Sequence, residues 1–102
     1  MINQSLKNRK IIISAGASGI GLATAKVCLS RGAYVYICDI DDKSLNKLKK
    51  HNLKNKRLFT FNCDASDEGQ VSNLFKKIAK KTKKIDALIN NVGIAGPTGS
   101  LK

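Results

Sequence analysis

The sequence predicts an α/β protein built on a doubly wound parallel sheet, with elements in the order βαβαβαβ. Three observations carry that expectation. Four short runs rich in apolar, β-branched or aromatic residues recur along the 102 residues, a helical segment separates each run from the next, and the stretch "SAGASGIG" from Ser14 to Gly21 crowds glycines and small residues into the first strand-to-helix junction.

Each element follows from its residues. "KIIIS", Lys10 to Ser14, is a continuous apolar run, the pattern of a strand covered on both faces in a parallel sheet. In "GLATAKVCLSRG" after it, Ile20, Ala23 and Val27 recur at helical spacing, with Leu29 or Ser30 continuing the stripe and Gly32 placed to end the helix. "AYVYICDI", Ala33 to Ile40, reads as a second buried strand with Asp39 at its end. "DDKSLNKLKKHN" sets Leu45 and Leu48 three apart and predicts a short, very basic helix.

"RLFTFNCD", Arg57 to Asp64, alternates Leu58 and Thr60 with Phe59 and Phe61 and predicts a third strand that also ends in an aspartate. "SDEGQVSNLFKKIAKKTKK" places Val71, Leu74, Phe75, Ile78 and Ala79 on one stripe behind Ser66 or Asp67, a capped amphipathic helix with acids in its first turn. "IDALINN", Ile85 to Asn91, is the fourth strand, and "VGIAGPTGS" leaves it as a loop. Right-handed crossovers then give the strand order 3-2-1-4. The chain stops soon after the fourth strand, which reads as a sheet truncated there, the first part of a larger domain. Apolar surface left bare on "IDALINN" leads us to expect marginal stability or self-association.

Composition narrows the functional classes. With 42% apolar and 25% charged residues, and no run near the ~18 apolar residues of a membrane span, the expectation is a soluble, cytoplasmic protein without a membrane partner. Cys28, Cys38 and Cys63 are an odd set without a CxxC pair, and His51 stands in the polar stretch "KKHNLKNK". They read as small core residues and a solvated histidine, so no metal site is expected.

A formal net charge of +12 raises the question of nucleic acid, with lysines clustered at 43 to 56 and at 76 to 84. Tyr34, Tyr36, Phe59 and Phe61 fall in strands and Phe75 on a helix stripe, so neither cluster has a stacking platform. A solvated lysine face is the sequence reading, with no nucleic-acid partner.

The glycine run has a physical use. Gly16, Gly19 and Gly21 let the backbone approach a ligand without a Cβ in the way, and the turn aims helix N-terminal amides at it. Those amides favour an anion, and the diphosphate of a dinucleotide fits a crevice at the carboxyl end of a parallel sheet. Close helix packing is the other use of such glycines. Asp39, about 20 residues on, can accept hydrogen bonds from ribose hydroxyls and repel a 2'-phosphate, which favours NAD over NADP. Capping of the next helix is the other task open to Asp39, with Asp41 and Asp42 competing for it.

"SAGASGIG", "CDI" at Cys38 to Ile40, "NCDASD" at Asn62 to Asp67 and "LINNVGIAGPTG" from Leu88 together resemble the short-chain dehydrogenase/reductase family, whose usual forms are TGxxxGIG, a strand-end Asp, a C-D-(small) segment and NNAG. The resemblance covers nearly the whole chain and implies the N-terminal part of a Rossmann-type domain. It makes Ser14, Ala15, Gly16, Ser18, Gly19, Ile20 and Gly21 the phosphate-binding turn, and Asp39, with Ile40 beside it, the ribose ligand. It likewise assigns Asp64 and Ala65 to the adenine pocket, and Asn91 and Gly93 to the central strand and the cofactor's ribose. Ala15 stands where the family usually has its first glycine, and Val92 where it has the alanine of NNAG.

The family's chemistry is hydride transfer between a nicotinamide and an alcohol or carbonyl carbon, using a tyrosine, a lysine four residues on, and a serine. Tyr34 is followed four residues later by Cys38 and Tyr36 by Ile40, so no Y-x-x-x-K occurs and no catalytic residue can be named. The expectation is a dinucleotide-binding fragment of an oxidoreductase, inactive alone, that meets a small-molecule substrate only if the catalytic half is supplied. A non-catalytic nucleotide-binding or interaction module is the alternative, and a basic nucleic-acid-binding protein a distant third.

Overall fold

The computed structural model describes residues 5–15, 17–52 and 54–90. Its elements are β1 (Lys10–Ser14), α1 (Gly19–Ser30), β2 (Tyr34–Asp39), α2 (Asp42–His51), β3 (Leu58–Asn62), α3 (Glu68–Ala79) and β4 (Ala87–Asn90). All strand pairs are parallel and the sheet order is β3-β2-β1-β4. The alternation read from the sequence is therefore the fold, and the doubly wound sheet is present.

Strand geometry divides the core in two, because successive side chains point to opposite faces. Ile11 and Ile13 of β1 with Val35 and Ile37 of β2 pack on one side, against Ala25 and Cys28 of α1 and Leu45 and Leu48 of α2. Ile12, Tyr36 and Cys38 point the other way, onto Leu74 and Ile78 of α3. The runs "KIIIS" and "YVYICD" are apolar through their middle because both faces are covered. Tyr36 also stacks on Phe59 of β3, ring centroids 4.9 Å apart.

The face of α1 differs from the sequence reading. Ile20 is 76% exposed and Val27 51%, and Ala23 is exposed too, while the stripe turned inward is Gly21, Ala25 and Cys28. Small side chains let this helix lie close to the sheet, with Leu22 and Leu29 half-buried at its flank and Ile20 and Val27 left outside. Helix α3 follows its predicted stripe only in part: Leu74 and Ile78 are buried and Val71 is half-buried, whereas Phe75 is 42% exposed and Ala79 is exposed. Leu88 of β4, 57% exposed, lines the same small cavity as Phe75.

Helix ends obey local chemistry. The Asp41 carboxylate accepts from the Lys43 amide at the start of α2, and that of Asp67 from the Gly69 and Gln70 amides at the start of α3. Gly32, just past α1, has φ +96°, and a Cβ there would lie 3.0 Å from the Lys7 Cα, so both angle and space require glycine. All three cysteines are buried and free, as the sequence suggests. His51 is exposed, with Nδ1 2.8 Å from the Lys47 carbonyl.

Two details fix the ends of the central strand. At its start, the Asp86 carboxylate accepts from the Lys10 amide at 2.7 Å and lies near Arg9 and Lys84, while the Asp86 amide donates to the Lys10 carbonyl. At its end, Ala15 takes φ +54°, in the left-handed region. That conformation costs a residue with a Cβ roughly 1–2 kcal/mol.

Both details are testable. Ala15→Gly removes the strain but adds about 0.4–1 kcal/mol of unfolded-chain entropy, so we expect a net gain of about 0.5–1 kcal/mol in urea unfolding. A loss of stability would show that the turn does not hold Ala15 in this region. The Lys10 amide, helped by Lys84 and Arg9, keeps Asp86 below its ordinary value of 3.8. Its contribution is complete above that value and is lost as pH falls through the lower folded one. Asp86→Asn should therefore flatten the acid limb of the stability curve, leaving the share of Asp41 and Asp64, whose carboxyls are also lowered by hydrogen bonds. An unchanged acid limb would contradict the anchoring role.

Candidate functional site

The parallel arrangement brings the carboxyl ends of four strands to one edge of the sheet, and the sequence-predicted residues gather there. Ser14 closes β1, Asp39 closes β2, and Asp64 and Ala65 follow β3. Gly16, Asn91 and Gly93 lie outside the described residues.

Hydrogen bonds tie neighbouring strand ends together. The Ala15 amide donates to the Cys38 carbonyl at 2.7 Å, and the Cys63 amide to the Asp39 carbonyl at 3.0 Å. Across the other seam, the Ser14 hydroxyl donates to the Asn90 Oδ1 at 2.8 Å. The sequence reading took Asn91 of the pair and passed over Asn90, whose place at the end of β4 is visible only once the strands are in register.

Asp39 is the best-held polar group of this edge. Its side chain accepts from the Ala17 amide at Oδ2, 3.1 Å, and from the Asp41 amide at Oδ1, 3.0 Å, and the residue is 8% exposed. The carboxylate thus joins the glycine turn to the β2–α2 turn. Capping of α2 falls to Asp41, so the alternative role for Asp39 is taken by its neighbour.

The start of α1 is left differently from the other two helices. Ser18, at the N-cap, makes no side-chain bond to the first turn, and that turn contains no acid, whereas α2 and α3 have both a carboxylate cap and an acidic first-turn residue. The first turn of α1 therefore has no side-chain cap and no acid of its own, and the carboxylate beside it is that of Asp39, on the Ala17 amide just before the helix. Gly19 has φ +59°, and a Cβ there would meet nothing within 4 Å, so open space lies in front of the turn. A diphosphate fits amides exposed in this way.

On the α3 side, a cavity of about 160 Å³ is lined by Ser14, Cys38, Ala65, Phe75, Leu88 and Asn90 among others. Asp64 beside it accepts from the Ser66 hydroxyl and amide at 2.6 and 2.9 Å, which holds its carboxyl below the usual range. Cys38 is no nucleophile: burial, then its bond to Cys63, pushes its thiol up to about 12. Tyr36 is buried in the core, its phenol raised by that burial. On the α1 side, a concavity of about 440 Å³ adjoins Ser18 and Gly19 and includes Lys26, Ser44 and Lys47, which the sequence reading did not single out because no motif marks them.

Among the described residues there is no cluster of histidine, cysteine or carboxylate side chains that could hold a metal, and no helix is long and apolar enough to cross a membrane.

Comparison with known proteins agrees with this geometry. The family model for short chain dehydrogenase matches residues 9–102. Short-chain dehydrogenase reductase 5 of Arabidopsis thaliana is 35% identical over 101 residues, covering 99% of this chain and 39% of its own length. Tropinone reductase-like 2 of Erythroxylum coca is 37% identical over 92 residues, 90% of this chain and 33% of its own. Among solved structures, the Pseudomonas aeruginosa RhlG/NADP active-site complex superposes with a TM-score of 0.77 at 27% identity, covering 87% of this chain and 36% of that one. The chain thus spans little more than a third of the length of the relatives it matches. A four-stranded parallel sheet in the order 3-2-1-4, a glycine turn after its central strand and a matching model over residues 9–102 place this chain in the short chain dehydrogenase family of oxidoreductases.

Proposed function

We propose that residues 1–102 hold the adenosine and diphosphate part of a nicotinamide dinucleotide, for an oxidoreductase that interconverts an alcohol and a carbonyl compound. The observation that carries this reading is the pairing of an uncapped, acid-free α1 start with a nearly buried carboxylate on the next strand. When bound, the nicotinamide supplies the hydride acceptor or donor.

The chain's own residues divide the binding work. The amides at the start of α1, from Ser18 to Gly21, take the diphosphate, with Gly19 keeping the approach open, while those of Ala15 and Ala17 are used within the fold. Asp39 keeps lone pairs free after its two main-chain bonds, accepts from ribose hydroxyls, and disfavours a 2'-phosphate by charge. This supports NAD as the preferred cofactor, although the RhlG neighbour was solved with NADP. Ile40, exposed past Asp39, and Asp64 with Ala65 flank the adenine. Asn91 and Gly93 stand by the cofactor's ribose in this reading. The proton-transferring groups of turnover lie outside these residues, since the sequence contains no Y-x-x-x-K. The 102-residue chain is then a binding unit without turnover of its own.

Calorimetric titration of the chain with NAD and with NADP tests this. NAD should bind at least about tenfold more tightly, because a charge-assisted hydrogen bond contributes about 1.5–3 kcal/mol. Asp39→Asn keeps only one of the two acceptors and so loosens the turn for both cofactors, but it should erase most of that difference by weakening NAD more than NADP. An NAD:NADP ratio that the substitution leaves unchanged would remove Asp39 from the ribose site.

A further inference from the structure

We propose that the groove at the C-terminal end of α2 binds the phosphate backbone of a nucleic acid. The groove, of about 730 Å³, is lined by Lys50, His51, Asn52, Lys54, Asn55, Lys56 and Arg57. It is a larger concavity than either cavity beside the glycine turn.

Its charge has no internal partner. From Lys43 to Cys63 the sequence holds lysines and Arg57 but no Asp or Glu. Among the described residues, both ion pairs go to Asp86, on the far side of the molecule's central strand, and none involves a groove lysine. Lys49, Lys50 and His51 in the last turn of α2 offset the negative end of the helix dipole. Lys54 and Lys56 lie past that turn, so this explanation does not reach them. Arg57 is fixed otherwise: its Nη1 donates to the Leu29 and Ala33 carbonyls, which makes it part of the groove floor.

The shape indicates an extended anion. His51 and Asn52 also line the adjoining concavity of about 440 Å³, which adds Lys26, Lys47 and Ser44. Positive charge therefore continues from the α2–β3 loop along α2 toward the α1 start. A strand of phosphodiesters can follow such a track, and its affinity comes from counterion release. Ile20, Val27, Ile40, Phe75 and Leu88, the large exposed apolar residues, line neither concavity. A bilayer surface would lack an inserting anchor here. With no Phe, Tyr or Trp among the described lining residues, contact is chiefly to the backbone and indifferent to base sequence.

Fluorescence anisotropy with a labelled oligothymidylate of about 20 nucleotides, titrated against the 102-residue chain at several salt concentrations, tests the proposal. The wild type should bind at low salt and weaken steeply as salt rises. The triple change Lys50→Glu, Lys54→Glu and Lys56→Glu should cost at least about tenfold and reduce the salt slope by roughly 2, three contacts at about 0.7 each. The same three positions changed to Arg should restore binding. Lys76→Glu, Lys77→Glu and Lys80→Glu remove equal charge on the α3 side and should cost less than about threefold. All these lysines are exposed, and circular dichroism confirms that the variants fold. Equal losses from the two acidic triples, no loss from the groove triple, no wild-type binding at low salt, or groove-dependent binding of phosphatidylserine vesicles without oligonucleotide binding would each overturn it.

Discussion

The glycine turn has a sharp course to hold, and the Asp39 carboxylate is the group that holds it. One oxygen takes the amide of Ala17 in the turn and the other takes the amide of Asp41 at the entry to α2. A buried carboxylate without such partners would cost several kcal/mol, and buried amides without such an acceptor would cost about 1–3 kcal/mol each. Each side therefore requires the other. Around this bond the strand ends are stitched in series, Ala15 to Cys38, Asp39 to Cys63 and Ser14 to Asn90. The same carboxylate that fixes the turn is the one proposed to meet a ribose, so in that reading structural and binding demands fall on one side chain.

The sheet behind that edge follows from a simpler constraint. Parallel strands need helical crossovers, and helices on both faces call for apolar residues through the middle of β1 and β2, with polar residues, Ser14 and Asp39 among them, only at their ends. α1 must then come close enough to let its N-terminus point past the end of β1. Gly21, Ala25 and Cys28 permit that approach, at the expense of leaving Ile20 and Val27 in contact with solvent. Small residues on the buried stripe are thus linked to the geometry of the site, since a bulkier stripe would lift the helix and carry its amides away from the turn.

The sequence made strands, crossovers and order legible because those rest on local signals: continuous apolar runs, glycine after a strand, aspartate at a helix start. The caps Asp41 and Asp67 were readable for the same reason. The inward face of α1 was not, because hydrophobic periodicity ranks Ile20 and Val27 above Gly21 and Ala25, and only close packing reverses that rank. Asn90 escaped notice since its partner, Ser14, is distant in sequence and meets it through the β1–β4 register. The left-handed angle of Ala15 was legible only as a question, raised by a side chain where the family keeps a glycine. The lysines of 43–56 read as a solvated face in the sequence, and only the fold shows that Lys50, Lys54 and Lys56 among them line one groove.

The two surfaces proposed to face anions would do so by different physics. In the proposed dinucleotide site at the α1 start, oriented main-chain amides would offer short, directional bonds to one diphosphate, and Asp39 beside them would limit how much negative charge is welcome. Along α2 and its following loop, mobile ammonium groups surrounded by water offer charge without direction. The first kind of site selects by geometry and is little affected by salt. The second selects by charge density and fades as the Debye length shortens. The concavity that touches Ser18, Gly19, Lys26 and Lys47 is where the two meet. In the proposed reading, a ligand lying there would draw on both, and charge along α2 would raise the local concentration of an anion on its way to the turn.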